Sequence, residues 1–388
     1  MYSIHAYGQM IADKVRTDAY ARALRSAVKP GSIVLDLGAG TGIFSLLACQ
    51  YGARKVYAIE TGDAIEIARR IAQANGYSGR IEFIQGASTG ISLAEKVDVI
   101  VSDMHGAQPF FMKNIVSIVD ARRRMMADGG VLIPRRELLW AAIVEAPDEY
   151  GSLVAPWAKE NFGLDMDAAR LAVTNCARKA TFRRDQLLGE PRCWGTLDYA
   201  TLDHPSHAAR ISLAASRAGT AHGLVLWFDS ELADGVGFSN APGEPELSYS
   251  SSFFPWSVPV PLDAGDAIEV RLRADFTGAD YTWSWDSKIF DGNAATLKAD
   301  FRQSTFWGSP LSSTRLHRRG SGYRPKLGED ARLEALILGQ MNGTTTLEEI
   351  ARGVMQRFPG RFRSFDDALA RVGDLSDAYG GGEGGLTP

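Results

Sequence analysis

The sequence predicts three successive architectures: an α/β domain on a parallel, doubly wound sheet, an antiparallel β domain of barrel or sandwich form, and a small helical module. Three observations carry this reading. Up to Pro134, short apolar runs alternate with helix-length stretches, the pattern of buried strands joined by crossover helices. From about Leu138 to Arg324, many short β-like runs are separated by Gly, Pro and Asp clusters, as in antiparallel barrels and sandwiches. From Leu327 to Tyr379, apolar residues recur at helical spacing.

The elements follow in order. Met10, Ile11, Val15, Ala19 and Leu24 place a helix over residues 7–28, stopped by Pro30-Gly31. Ile33–Leu37 is a strand, Gly42–Tyr51 a helix, Lys55–Ile59 a strand, Ala64–Asn75 a helix, and Ile81–Ile84 and Val97–Val101 are strands. A helical stretch runs through Arg124, and Gly129-Gly130 leads into a strand over Val131–Pro134. In the second region Trp140–Val144, Leu224–Asp229, Ala267–Leu272 and Tyr281–Ile289 read as strands. Trp283 and Trp285 alternate with Thr282 and Ser284, which sets both indoles on one face, toward a core. Tyr150–Ala180 interrupts the β pattern with helical character. In the third region Leu333, Leu336, Ile337, Leu338 and Met341 form a stripe ended by Asn342-Gly343. Thr346 then caps a new helix with Glu349 three residues on, and another helix covers Phe365–Leu375. The expected domains are 1–134, 135–325 and 326–379, with a disordered Gly-rich tail at 380–388.

Composition narrows the function. With 45 % apolar and 23 % charged residues, the chain is expected to be globular with a real core. A net charge of −4 argues against broad nucleic-acid binding. Cys49, Cys176 and Cys193 form no CxxC pair, so neither a disulfide framework nor a metal site is expected. No basic-then-apolar leader and no run of about 20 apolar residues is present, which points to a cytoplasmic protein away from membranes. Arg122, Arg123 and Arg124, near Arg135 and Arg136, suit either a solvated face or an acidic peptide.

The chemistry concentrates at Gly38-Ala-Gly-Thr-Gly42, between the first strand and its helix. Glycines there permit a tight turn and let a ligand lie against the main chain. Glu60, at the end of the second strand, is placed to accept both hydroxyls of a ribose. A nicotinamide fingerprint would need a third glycine where Ile43 stands. Asp36 suits a donor with positive amino and sulfonium groups better than a pyrophosphate, so S-adenosylmethionine is the expected cofactor. Another kind of nucleotide loop, or a purely structural turn, remains open on these residues alone.

Met10-Ile-Ala-Asp-Lys-Val-Arg-Thr17, Val34–Gly42 and Val56-Tyr-Ala-Ile-Glu60 resemble the opening motifs of the protein arginine methyltransferase family. Tyr150 through Leu202, with Trp157, Phe162-Gly-Leu-Asp-Met166 and Trp194–Thr201, resembles its barrel entry and dimerisation arm. His222-Gly-Leu-Val-Leu-Trp-Phe-Asp229 resembles one of its barrel strands, and the likeness covers about residues 2–325. It implies a Rossmann-like methyltransferase domain, a β-barrel domain, and a homodimer formed through an arm near 155–185. Asp36, Gly38 and Gly40 would line the methionine part of the donor, and Arg16 would bind its carboxylate. Glu60 would hold the ribose and Gly86 would lie near the adenine. Thr89, where the family usually has an acid, and Ser102, which opens the acceptor loop, complete the donor contacts that the resemblance implies.

At the acceptor the resemblance breaks. The family grips guanidinium with two glutamates on one loop. Here that loop is Ser102-Asp-Met-His-Gly-Ala-Gln-Pro-Phe-Phe-Met112, with Asp103 at the first glutamate position and Met112 at the second. A thioether cannot accept a charge-assisted bond of like strength. After Phe238-Ser-Asn-Ala-Pro242, the family's Thr-His-Trp loop is replaced by Leu247, Ser248 and Tyr249. His105, next to Asp103, is either a general base or a packing histidine. As a base it suits an amine, amide, imidazole or hydroxyl acceptor, and the sequence leads to a peptide or protein substrate. Arginine methylation with a carboxylate from elsewhere, such as Glu137 or Asp286, is the alternative. A small-molecule acceptor and a non-catalytic scaffold are two others. Residues 333–375 resemble PqqD-type modules, which capture leader peptides of ribosomally made natural products. A helical cap is the plainer reading.

Overall fold

The computed structural model describes residues 3–158, 162–293 and 295–380. The chain forms two compact units, Met1–Pro310 and Leu311–Pro388.

The first unit opens on α1 (Ile4–Ala12) and α2 (Lys14–Ala27), not on one helix. The break has a local cause. Asp13 takes an extended conformation (φ −67°, ψ 90°), and its side chain accepts the Arg16 amide at 3.2 Å. An aspartate that caps a new helix competes with continuing the old one.

Then β1 (Ile33–Leu37), α3 (Ile43–Gln50), β2 (Lys55–Glu60), α4 (Ala64–Ala74), β3 (Ile81–Gln85), β4 (Val97–Ser102), α5 (Asn114–Met125) and β5 (Met126–Ile133) follow. The five strands are all parallel, in the order β3-β2-β1-β4-β5. Strand order reverses between β1 and β4, and ligands of such sheets bind outside the carboxyl ends of the strands at that switch point. β1 is buried along its whole length, which is why it reads as a continuous apolar run broken only by Asp36.

Past Pro134 the pairing turns antiparallel. β6 (Arg136–Val144) is followed by α6 (Pro147–Val154), α7 (Asp167–Val173) and β7 (Arg178–Ala180). Then come β8 (Arg192–Asp198), β9 (His207–Ala214), β10 (Gly219–Ala233), β11 (Val236–Ser239), β12 (Ser251–Leu262), β13 (Ala267–Phe276), β14 (Tyr281–Phe290), β15 (Leu297–Phe301) and α8 (Thr305–Gly308). One sheet runs β7-β12-β10-β6-β8 with β11 on β10, and the other β15-β14-β13-β9. Among the described residues the two sheets form a barrel-like enclosure without a continuous closing ladder. Trp256, Trp285, Phe254 and Phe228 fill its core, and Trp283 is also buried, as the alternation along β14 requires. Of the expected arm, residues 159–161 lie outside the described ones, and Phe162, Leu164 and Leu171 are exposed.

The second unit contains α9 (Ser313–Arg319), α10 (Glu329–Gln340), α11 (Leu347–Arg357) and α12 (Phe365–Tyr379). Leu333, Ile337, Ile350, Val354, Val372 and Leu375 form its own core. The capping box is present: Glu349 donates its amide to Thr346 Oγ1 at 3.2 Å, and the Thr346 amide donates to Glu349 at 2.8 Å. Its described residues include no strand. The tail at 381–388 lies outside the described residues. No described helix is long and apolar enough to cross a membrane.

Candidate active site

The glycine loop sits at the switch point, between the end of β1 and the start of α3. Gly38, Gly40 and Gly42 have φ of +79°, +53° and +82°, values that other residues rarely adopt. The loop is also closely covered. A Cβ on Gly38 would lie 2.7 Å from the Met104 side chain, and one on Gly40 2.5 Å from the Tyr7 ring of α1. Glu60 braces the loop from β2, accepting the Gly40 amide at 2.9 Å and the Gly62 amide at 2.7 Å. A carboxylate has lone pairs beyond these two, so a ribose diol can still be held there. Asp36 is buried and accepts both the amide (2.9 Å) and the hydroxyl (2.6 Å) of Ser45. Burial pushes its carboxyl up to about 6, against the two Ser45 hydrogen bonds, which pull it down. Gly86 has a φ of +151°, Thr89 is exposed in the short turn after β3, and buried Ser102 ends β4. Ser102 Oγ has no hydrogen-bond partner among the described residues. A strand-end glycine turn, a second-strand carboxylate and an unpartnered buried hydroxyl fit an adenosyl amino-acid donor.

Arg16 is nearly fully buried, and it is not held in reserve. One guanidinium nitrogen pairs with Asp103 and another donates to the Met10 carbonyl at 2.7 Å. Nε has no partner among the described residues. The residue expected at the donor carboxylate therefore also touches the acceptor loop.

That loop is held from both sides. Asp103 accepts a hydrogen bond from the Tyr249 hydroxyl, lies 3.1 Å from His105 Nδ1, and stands 3.3 Å from the Tyr20 hydroxyl, which donates to the Ser102 carbonyl at 3.1 Å. His105 is buried, stacks on Phe228 with ring centroids 5.3 Å apart, and is hydrogen-bonded through Nε2 to Glu137 on β6. Glu137 is fully buried and accepts from the Tyr199 hydroxyl at 2.7 Å. Asn240 ties the barrel to the loop by donating to the Ala107 carbonyl at 3.2 Å. Met112 turns away: its φ is +46° and it is 55 % exposed.

Asp103 and His105 are thus brought together as the sequence suggests. Of the two carboxylates considered as replacements, Glu137 is in the site and Asp286 is on β14, cross-strand from Arg271. The imidazole of His105 stands between Glu137 and Asp103, so the two carboxylates do not form one clamp. Tyr20 and Tyr199 escape sequence reasoning, since a tyrosine gives no sign of which carboxylate it will reach. A lone acid among the apolar residues of β6 was the visible signal for Glu137. The basic cluster is spent on internal contacts: Arg122 on the Tyr199 and Leu202 carbonyls, Arg124 on Ser88, Ile91 and Asp120, Arg136 on Glu231. A groove of about 800 Å³ flanks β6, β10 and β11 beside Trp140 and Trp227; no donor-site residue lines it. Among the described residues no cluster of His, Cys, Asp and Glu could hold a metal ion.

Residues 16–134 match the family model described as ribosomal protein L11 methyltransferase (PrmA). The chain is 29 % identical over 252 residues to the probable protein arginine N-methyltransferase 6 of Arabidopsis thaliana, covering 63 % of this chain and 58 % of that protein. It is 27 % identical over 305 residues to protein arginine N-methyltransferase 1 of Dictyostelium discoideum, covering 76 % and 85 %. The chain therefore spans little more than half of the first relative. Among solved structures it resembles the Trypanosoma brucei PRMT1 enzyme-prozyme heterotetrameric complex with AdoHcy, with a TM-score of 0.70, 22 % identity, and coverage of 78 % of this chain and 98 % of that one. That last likeness concerns the fold.

Proposed function

We propose that this chain, a methyltransferase similar in sequence and fold to the protein arginine methyltransferases, uses S-adenosylmethionine to methylate a nitrogen nucleophile of a peptide or protein. The observation that carries the reading is continuity: Met104 packs on Gly38 of the donor loop, and its neighbours Asp103 and His105 form the buried polar cluster beside it.

Glu60 would hold the ribose, the glycine turn the methionine part, Gly86 the neighbourhood of the adenine, and Arg16 the donor carboxylate. The donor supplies a methyl group made electrophilic by its sulfonium. Asp103 then orients the acceptor's N–H, and most of the rate comes from that alignment. A guanidinium needs paired carboxylates. Asp103 stands alone, because Met112 turns outward and Glu137 lies behind His105. This favours an acceptor other than arginine. The similarity to named arginine methyltransferases supports the opposite reading, in which a substrate-borne or partner-borne group completes the clamp. A scaffold without chemistry is disfavoured by the intact donor residues.

The exposed apolar side chains of Phe162, Leu164 and Leu171 suit a homodimer through the arm, and a monomer in sedimentation at micromolar concentration would contradict it. The C-terminal helical unit suits capture of a peptide segment, as in maturation of ribosomal peptides in the cytoplasm. The test is mass spectrometry of peptides encoded beside the gene, incubated with protein and donor. A gain of one methyl unit on a residue other than arginine is expected. Methylated arginine overturns the acceptor reading, and absence of donor binding by isothermal titration overturns the whole.

A further inference from the structure

A buried charge array lies behind the acceptor loop. Both ring nitrogens of His105 face carboxylates: Nδ1 is 3.1 Å from Asp103 Oδ1, and Nε2 is hydrogen-bonded to Glu137 Oε1. Every other partner of those carboxylates is a donor. Glu137 Oε2 accepts from Tyr199 at 2.7 Å, and the Ser230 hydroxyl lies 3.5 Å from Oε1. Asp103 accepts from Tyr249, pairs with Arg16, and lies 3.3 Å from the Tyr20 hydroxyl, whose proton it shares with the Ser102 carbonyl. Burial holds the three phenols protonated, far above the ordinary tyrosine range. Carboxylates surrounded only by donors are satisfied in the ionised form.

A neutral imidazole carries one N–H and can serve only one of these two carboxylates. On the other side a lone pair would face a carboxylate oxygen. The array as built therefore takes an imidazolium, with Arg16 and His105 positive, Asp103 and Glu137 negative, and no net charge. Loss of the Nδ1 proton leaves it at −1. The titratable and charged groups facing His105 are Arg16 and Tyr20 from α2, Asp103 of its own loop, Glu137 from β6, Tyr199 after β8, and Tyr249 before β12.

We propose that His105 and Glu137 are a proton acceptor set by donor binding: His105 releases its Nδ1 proton to solvent by way of Asp103 when the cationic donor occupies the neighbouring loop, and Nδ1 then takes, through Asp103, the proton of an uncharged N–H acceptor. The inference rests on the donor reading above. In the transfer, the acceptor nitrogen's lone pair forms the bond to the methyl carbon. The carbon–sulfur bond breaks with its electron pair left on sulfur, and the N–H proton passes through the Asp103 carboxylate to Nδ1, restoring the neutral array. Glu137 is a positioning residue: it fixes the Nε2 proton and balances the imidazolium. The acceptor class follows, because a cation approaching Asp103 in the donor-bound site would meet Arg16 and the donor's sulfonium.

The test needs no acceptor. Binding of S-adenosylmethionine and of S-adenosylhomocysteine, which lacks the sulfonium charge, is measured by isothermal titration from about pH 6 to about pH 9. Wild type, Glu137→Gln, Glu137→Asp and His105→Gln are compared. In wild type, the affinity ratio of the cationic over the neutral ligand rises with pH more steeply than in E137Q and H105Q. The excess is about tenfold per pH unit, one proton per site. The slope in those two variants carries the ligand's own ionisation, and E137D recovers part of the excess. S-adenosylhomocysteine affinity within about threefold of wild type shows that the variants fold. Equal slopes in all four proteins remove the inference and leave the donor reading standing. Binding of neither ligand to wild type removes both.

Discussion

The two halves of the site are built in opposite ways. The donor half, as proposed, centres on one segment of chain, β1 with the glycine turn and the start of α3, joined by Glu60 one strand away, Gly86 after β3, and Arg16 from α2. The acceptor half shares Arg16 and draws Tyr20 from α2, Asp103 and His105 from the loop after β4, Glu137 from β6, Tyr199 after β8, and Tyr249 before β12. A site made within one turn depends on backbone freedom. A site assembled from several elements depends on how the parallel sheet and the antiparallel sheets pack. Substitutions in the two halves should therefore fail differently.

The largest separation is expected at Asp103. Asp103→Asn should lower methyl transfer to the acceptor found by mass spectrometry by about 1,000-fold, with S-adenosylhomocysteine affinity changed by no more than about threefold. Parallel loss of ligand binding would show that the halves are one unit. The converse comes from the turn. Gly40→Val puts a branched side chain at φ +53° against the Tyr7 ring, so ligand affinity by isothermal titration should fall roughly 100-fold. An unchanged affinity would mean that the donor lies elsewhere.

Asp36 sharpens the comparison through pH. Its folded-state carboxyl is raised to about 6, so its contribution to stability is complete below the unfolded value and is lost as pH rises through about 6. Asp36→Asn should be more stable than wild type at pH about 8, by about 3 kcal/mol, with the difference nearly gone at pH about 4. Thermal melts at the two pH values check this, and a difference independent of pH would point to packing instead. The smallest effect lies outside both halves. Thr346→Ala removes a capping box and should cost the C-terminal unit about 1 kcal/mol, seen as earlier hydrogen exchange in α11, with ligand affinity untouched.

Legibility follows the same division. β1 runs over the residues that its apolar pattern marks, and β2, β3 and β4 extend beyond theirs by a residue. Strands buried on both faces announce themselves by composition. The helix expected over 7–28 breaks at Asp13, where a capping carboxylate outweighs continuing periodicity. The β5 strand begins at Met126, three residues before the glycines that the sequence places ahead of it, because pairing with β4 can recruit residues that look like a turn. β10 runs over Gly219–Ala233, far beyond the apolar stretch that marks it, because β6, β11 and β12 all pair with it.

By itself the sequence determined the order of the architectures, the glycine turn and its acidic partners, and the absence of paired glutamates in the acceptor loop. These are matters of residue type at short spacing: which backbone can take a positive φ, which side chain can accept a proton. Only the tertiary structure decided what His105 touches. Its two partners come from positions 103 and 137, and the phenols that complete the array come from 20, 199 and 249. No local pattern encodes such convergence, because each contact depends on where a different strand or helix ends once the sheets have packed. The glycine turn signals a donor from the sequence alone. What the histidine beside it touches is set by two carboxylates that packing brings to either side of one ring.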